Sequence, residues 1–199
     1  MSYVKQGRTI VGIDEVGRGA WAGPVTAAAV ILPPRMRVPG LADSKLLSPA
    51  AREKLNVVIR RKALAVGIGW VSSEELDANG LTWAVRQSGL RALANMNLTE
   101  ADYIVILDGK HNYLRDTHQS QAIVKADGTI MPVAAASVIA KVARDRYMVS
   151  VSKRTKDYGF ESHKGYGTAF HQAALASLGL SSIHRRSFAP IDLLSKQTK

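Results

Sequence analysis

The hydrophobic and polar positions divide the chain into short apolar runs alternating with longer stretches of mixed polarity. Residues 9–16 ("TIVGIDEV") and 24–32 ("PVTAAAVIL") are rich in β-branched residues and alanine, with a glycine-rich connection between them. They read as two neighbouring antiparallel strands. Residues 33–40 ("PPRMRVPG") read as a proline-rich loop. In "LSPAAREKLNVVIRRKAL", Ser48 stands where an N-cap would and Pro49 at the first helical position, which predicts a helix start. Residues 65–72 ("AVGIGWVS") predict a third strand. From about Ser73 to Met96 the pattern is helical, with a break near Asn79-Gly80. "DYIVILDG" (102–109) and "QAIVKADG" (121–128) each read as a short apolar strand ending in Asp-Gly. A long helix is predicted from about Val133 to Arg154, and the remainder holds a glycine-rich loop, one helix and a basic tail. A hairpin followed by alternating strands and helices predicts a mixed α/β sheet with helices packed against it.

Composition narrows the chemistry. The 199 residues include no cysteine, which excludes disulfides, thiolate metal sites and a cysteine nucleophile. Lys and Arg outnumber Asp and Glu by 27 to 16, a net charge of +11. That balance favours a polyanionic partner, nucleic acid first. No apolar run approaches the ~20 residues needed to cross a bilayer, and the N-terminus lacks the apolar core of a signal peptide. The expectation is a cytoplasmic protein without membrane contact.

Against this basic background the placement of acids stands out. Three predicted strands end in carboxylates: Asp14-Glu15, Asp108 and Asp127. Ligands in α/β sheets gather at strand ends. Carboxylates that share a small volume repel and raise one another's pKa unless a cation intervenes, and all-oxygen ligation suits Mg²⁺ or Mn²⁺. Taken singly, Asp108-Gly109 and Asp127-Gly128 are ordinary turn chemistry. Asp14-Glu15 is different, because it falls inside the apolar pattern. Adjacent side chains on a regular strand point to opposite faces, so for both acids to serve one site the backbone must bend at Glu15. Gly17 and Gly19 lie just beyond.

The stretch "GIDEVGRG…AGPV", followed in order by "LADSKLLS", "LDG", "VKAD", "AAASVIAKVARD", "SHKGYGTAFH" and "HRRSF", resembles the ribonuclease HII family over roughly residues 9–190. The resemblance implies an RNase H-like mixed β-sheet flanked by helices (residues 1–155) with a C-terminal helical extension and basic tail (156–199). It also implies a monomeric endonuclease serving replication and repair. Such an enzyme hydrolyses the RNA strand of RNA–DNA hybrids and cuts 5′ of ribonucleotides embedded in duplex DNA, leaving 3′-hydroxyl and 5′-phosphate ends. By motif, the catalytic, metal-holding acids fall on Asp14, Glu15, Asp108 and Asp127, with Asp145 auxiliary. Two divalent ions about 3.5–4 Å apart could then activate water and steady the leaving oxygen. Asp14 is the natural bridge between them.

Substrate choice must rest on the ribose 2′-hydroxyl. The main chain of Gly17-Arg18-Gly19 is a candidate reader, because residues without Cβ allow close approach. Tyr166, set between two glycines, is expected from the family to stack on the sugar beside the cut. Ser137, Lys141 and Asp145 are four apart and share a helix face. The resemblance turns that face toward the site, with Lys141 tethering the acids. Lys45, Arg185 and Arg186 are candidate phosphate contacts, which position a duplex without reading it. The chain departs from the family's usual Pro-Leu at Ala20-Trp21, from its Asn-Ile-Leu at Gly80-Leu81-Thr82, and from its frequent Asn at Lys110. Ribonuclease HIII is the nearest rival; it typically carries an additional N-terminal domain, for which a first strand at about residue 9 leaves no room. A basic binding module without turnover would have no use for converging acids.

Overall fold

A computed structural model describes residues 8–41, 47–98 and 103–191. Five strands form one sheet: β1 (Thr9–Val16), β2 (Val25–Ile31), β3 (Ala65–Val71), β4 (Tyr103–Asp108) and β5 (Ser120–Ile123). Their order is β3-β2-β1-β4-β5. β1 and β2 pair antiparallel as a hairpin, and β3 pairs antiparallel with β2 after a longer connection that holds the helix Pro49–Lys62. β4 lies parallel to β1, and β5 parallel to β4. A parallel neighbour needs a crossover. The chain makes the β3-to-β4 crossing through α2 (Ser73–Asn79) and α3 (Leu81–Ala94).

Helices cover both faces of the sheet, and strand alternation decides which residues meet which helix. Ala28 and Val30 face α1 (Pro49–Lys62) and α4 (Met131–Ser152). Val11, Ile13, Ala27 and Ala29 face the opposite layer with Ala92 and Leu93 of α3. All seven residues of β2 are buried, because it is covered on both faces and flanked on both edges. Helix starts follow local chemistry. Ser48 caps α1, its hydroxyl accepting from the Ala51 amide at 3.2 Å. Ser72 and Glu75 form a reciprocal capping box at α2. The helical stretch breaks at Gly80, whose φ is +84°.

Two local readings change. The strand expected over 121–128 stops at Ile123, and Asp127 lies in a 3-10 turn, Ala126–Gly128. Lys125 adopts a left-handed conformation (φ +59°), which turns the chain out of the sheet. The Ala126 amide then donates to Asp108 Oδ1 at 2.8 Å instead of to a ladder partner. The C-terminal part also holds two helices rather than one: the short α5 (Phe160–His163) and α6 (Ala169–Leu178). They bury Phe160, Ala174 and Leu175 against Met148 and Val151 of α4 and Ala22 of the β1–β2 connection. Among the described residues no helix is long and apolar enough to cross a membrane.

Candidate active site

The parallel pairing of β1 and β4 builds the centre of the site. Ile13 is registered with Leu107. The next residues, Asp14 and Asp108, therefore leave neighbouring strand ends on the same face, toward α4. Asp127 arrives from the turn between β5 and α4. One carboxylate oxygen from each of Asp14, Asp108 and Asp127 lies within 4.8 Å of the others. α4 can cover these acids because Gly12 has no side chain. A Cβ there would meet the Pro132 carbonyl carbon at 2.2 Å. The close approach puts Ser137 over the strand end, where its hydroxyl bonds to the Asp14 carboxylate. Burial pushes Asp14 up to about 7, with repulsion from Glu15 and Asp108 adding to the rise and the Ser137 and Glu15-amide hydrogen bonds opposing it. An all-oxygen, mutually repelling trio with one carboxyl held so high fits a hard divalent cation.

Glu15 does not join the trio. The β1–β2 register continues unbroken through Glu15↔Ala27 and Val16↔Thr26, so the backbone bend expected at Glu15 is not made. Strict alternation points its side chain to the other face. There Arg18 Nη1 donates to Oε1 at 2.9 Å and the Tyr113 hydroxyl donates to Oε2 at 3.3 Å. Burial raises the Glu15 pKa and Arg18 draws it back down. The carboxylate still lines the same cavity of about 320 Å³ as Asp14, Asp108, Arg52, Ser137 and Lys141. Beyond Asp108 a wider groove of about 750 Å³ opens, lined by Arg18, Arg86, Lys110, His111 and Arg115.

The polar stripe on α4 does face the site, though Lys141 does not tether the acids. Its ammonium pairs with Asp145 Oδ1 at 2.8 Å, one turn along the same helix. Lys141 is also 5.9 Å, and the Arg144 guanidinium 5.4 Å, from the centre of the Tyr166 ring. Tyr166 is thus held half-buried above two cations, one of which, Lys141, lines the cavity.

The chain matches the family model for ribonuclease HII over residues 11–191. It belongs to the ribonuclease HII family. A ribonuclease HII of Bacillus thuringiensis is 45% identical over 94% of this chain and 72% of its own length. That of Dichelobacter nodosus is 42% identical over 96% of this chain and 99% of its own. Among solved structures, the ribonuclease HII in the PCNA complex from Archaeoglobus fulgidus is similar, with a TM-score of 0.77 at 28% identity over 90% of this chain and 95% of that one. The sheet and its flanking helices are therefore an RNase H-like fold. As a member of this ribonuclease family, the chain is a metal-dependent nuclease that hydrolyses phosphodiester bonds within the RNA of RNA–DNA hybrids.

Within this chain the glycine-arginine-glycine turn is held from inside. Gly17 has φ +87°, and a Cβ on it would stand 2.2 Å from Arg144 Nε. Its missing side chain makes room for a buried guanidinium. Gly19 differs: nothing lies within 4 Å of its would-be Cβ, and it is exposed along with Arg18. Arg144 donates to the carbonyls of Pro24, Lys164 and Ala22. Arg185 is fully buried and donates to the carbonyls of Gly23 and Arg18, so its expected role as a surface phosphate contact is corrected to that of an internal clamp. Burial, with repulsion from Arg144, lowers its pKa to about 9. Arg186 is exposed, its amide donating to Asp77. Lys45 lies outside the described residues. Trp21, standing where the family usually has Leu, lies on Gly167 and 5.8 Å from the His171 ring, so this departure is absorbed by packing.

Sequence reasoning missed Tyr113, Arg144 and the histidines of the C-terminal part. Arg144 offered one clue: it falls among positions of α4 that are otherwise buried and apolar. Tyr113 offered none, being placed only by the fold of the segment after β4.

Proposed function

We propose that the chain uses two divalent cations to cut on the 5′ side of ribonucleotides, both in hybrids and singly embedded in duplex DNA. The observation that carries this reading is the trio of oxygens within 4.8 Å at the mouth of a cationic groove. Asp14, Asp108 and Asp127 would hold the cations. When bound, these would offset charge on the phosphate and lower the pKa of an attacking water. Ser137 fixes the orientation of the Asp14 carboxylate. Glu15 would serve as a fourth ligand only if Arg18, 2.9 Å from it, turned to a substrate phosphate and the freed carboxylate reoriented toward the trio. The exposed Arg18-Gly19 main chain reads the 2′-hydroxyl, and the Tyr166 ring packs on the neighbouring sugar. Arg18, Arg86, Lys110 and Arg115 meet backbone phosphates, which supply affinity without sequence information.

The test is a cleavage assay on three duplexes: all-DNA, DNA with one ribonucleotide, and a long hybrid. Mg²⁺ and Mn²⁺ are compared, with EDTA as control. Cuts 5′ of the single ribonucleotide, none in all-DNA, and no product in EDTA are expected. Cleavage of the hybrid alone would overturn the embedded-ribonucleotide reading while leaving the family activity intact.

A further inference from the structure

Three histidines of the C-terminal part pack together, and the hydrogen bonds of each ring assign its proton. The Ser181 amide donates to His184 Nδ1 at 2.9 Å, so the His184 proton sits on Nε2. That nitrogen lies 2.9 Å from His171 Nε2 and must donate to it. The His171 proton is therefore on Nδ1, which donates to the Tyr166 carbonyl at 3.0 Å. His163 accepts from the Gly165 amide on Nδ1 at 3.1 Å and donates from Nε2 to the Tyr158 carbonyl at 2.7 Å. The Ser181 hydroxyl, 2.8 Å from His184 Nδ1, shares that acceptor with the amide, and with neutral rings one set of three protons fits the remaining ring contacts. Burial agrees, since it lowers both His171 and His184 to about 4. Phe160 packs within 5.7 Å of all three rings, and His163 stacks on His171 at 4.4 Å.

The chain of bonds ends on the turn that connects the two halves of the site. The Gly165 carbonyl accepts from the Trp21 and Ala22 amides at 2.8 and 3.2 Å. The Lys164 carbonyl accepts from Arg144 at 2.9 Å. Tyr166 carries the ring over Lys141 and Arg144. We propose that His171 and His184 are positioning residues: the single-file run Ser181–His184–His171–Tyr166 sets the turn at Gly165–Gly167, and through it the Tyr166 ring and the Gly17–Gly19 main chain, against the ribose at the cut. This role rests on the function proposed above. Neither histidine touches the carboxylate trio, so the chain acts on substrate geometry and leaves cation binding alone.

Two experiments on the full chain test it. Long-range ¹H–¹⁵N correlation of the histidine rings near neutral pH should show Nε2–H for His163 and His184 and Nδ1–H for His171. Any other tautomer at His171 or His184, or averaging between tautomers, would overturn the chain without reference to activity. Steady-state cleavage of duplex DNA with one ribonucleotide then compares H171N, whose amide keeps a donor toward the Tyr166 carbonyl, with H171L, which has none. A displaced turn should lower kcat about tenfold or more in H171L with little change in KM. H171N should recover most of that loss, and Mn²⁺ affinity by calorimetry should be equal in all three proteins. Equal loss in H171N and H171L, or full activity in H171L, would reduce the histidines to packing and overturn the role. If the unsubstituted protein fails to cut this substrate, the functional reading falls, whereas the ring protons still report on the hydrogen-bond chain.

Discussion

Replacing Asp14 with Asn tests the electrostatics of the site without any substrate. Folding raises the Asp14 pKa from 3.8 to about 7, chiefly by burial. Between those values the native carboxyl holds a proton that the unfolded chain has released. The native state therefore binds more protons, and the stability of the cation-free protein falls as pH rises from about 4 to about 7. A rise of about three units, at about 1.4 kcal/mol each, caps this penalty at about 4 kcal/mol. Asn cannot ionise, yet its carbonyl can still accept from the Glu15 amide and from Ser137. D14N should therefore match the wild type more closely near pH 5 and exceed it near pH 8. The difference should grow by about 2–3 kcal/mol between them, or about 5–10 °C in Tm for a chain of this size. Thermal unfolding by circular dichroism in EDTA, at both pH values, measures it. Adding Mg²⁺ or Mn²⁺ should raise the wild-type Tm and move that of D14N far less. A variant less stable than wild type near pH 8 in EDTA, or a difference independent of pH, would refute the argument that Asp14 is a destabilising charge awaiting a cation.

Gly17→Ala should cost about 2–4 kcal/mol in chemical denaturation, because φ is positive there and the new Cβ collides with Arg144. Arg185→Lys should destabilise by about 2–3 kcal/mol, since an ammonium cannot fork between the Gly23 and Arg18 carbonyls. Arg186→Ala, at an exposed position, should change stability by less than about 0.5 kcal/mol; if Arg186 meets a phosphate, the salt dependence of hybrid binding should flatten by about one in slope. Ser72→Ala, which removes one half of the α2 capping box, should cost about 1 kcal/mol by thermal melt.

The alternation of apolar and polar positions was enough to find every strand of the sheet, and capping residues the helix start at Ser48 and the break at Gly80, because period and capping are local properties. The seven ordered motifs marked the family, and three of the four acids do meet. What the sequence did not contain was direction. Asp14 and Asp108 become neighbours only through the parallel register of β1 on β4, and Asp127 reaches them because Lys125 turns left-handed after β5. Glu15 is adjacent to Asp14 in the chain yet faces the opposite layer, since strand alternation persists where a bend was expected. Arg185 and Arg186 are indistinguishable as letters; the fold buries one among carbonyls and leaves the other in water. The tautomers of His171 and His184 likewise exist only as a consequence of which backbone groups the C-terminal helices bring against them. Local pattern thus determined the elements and the chemistry available. Long-range packing alone decided which charges share a volume, because burial and distance, not residue identity, set the cost of each.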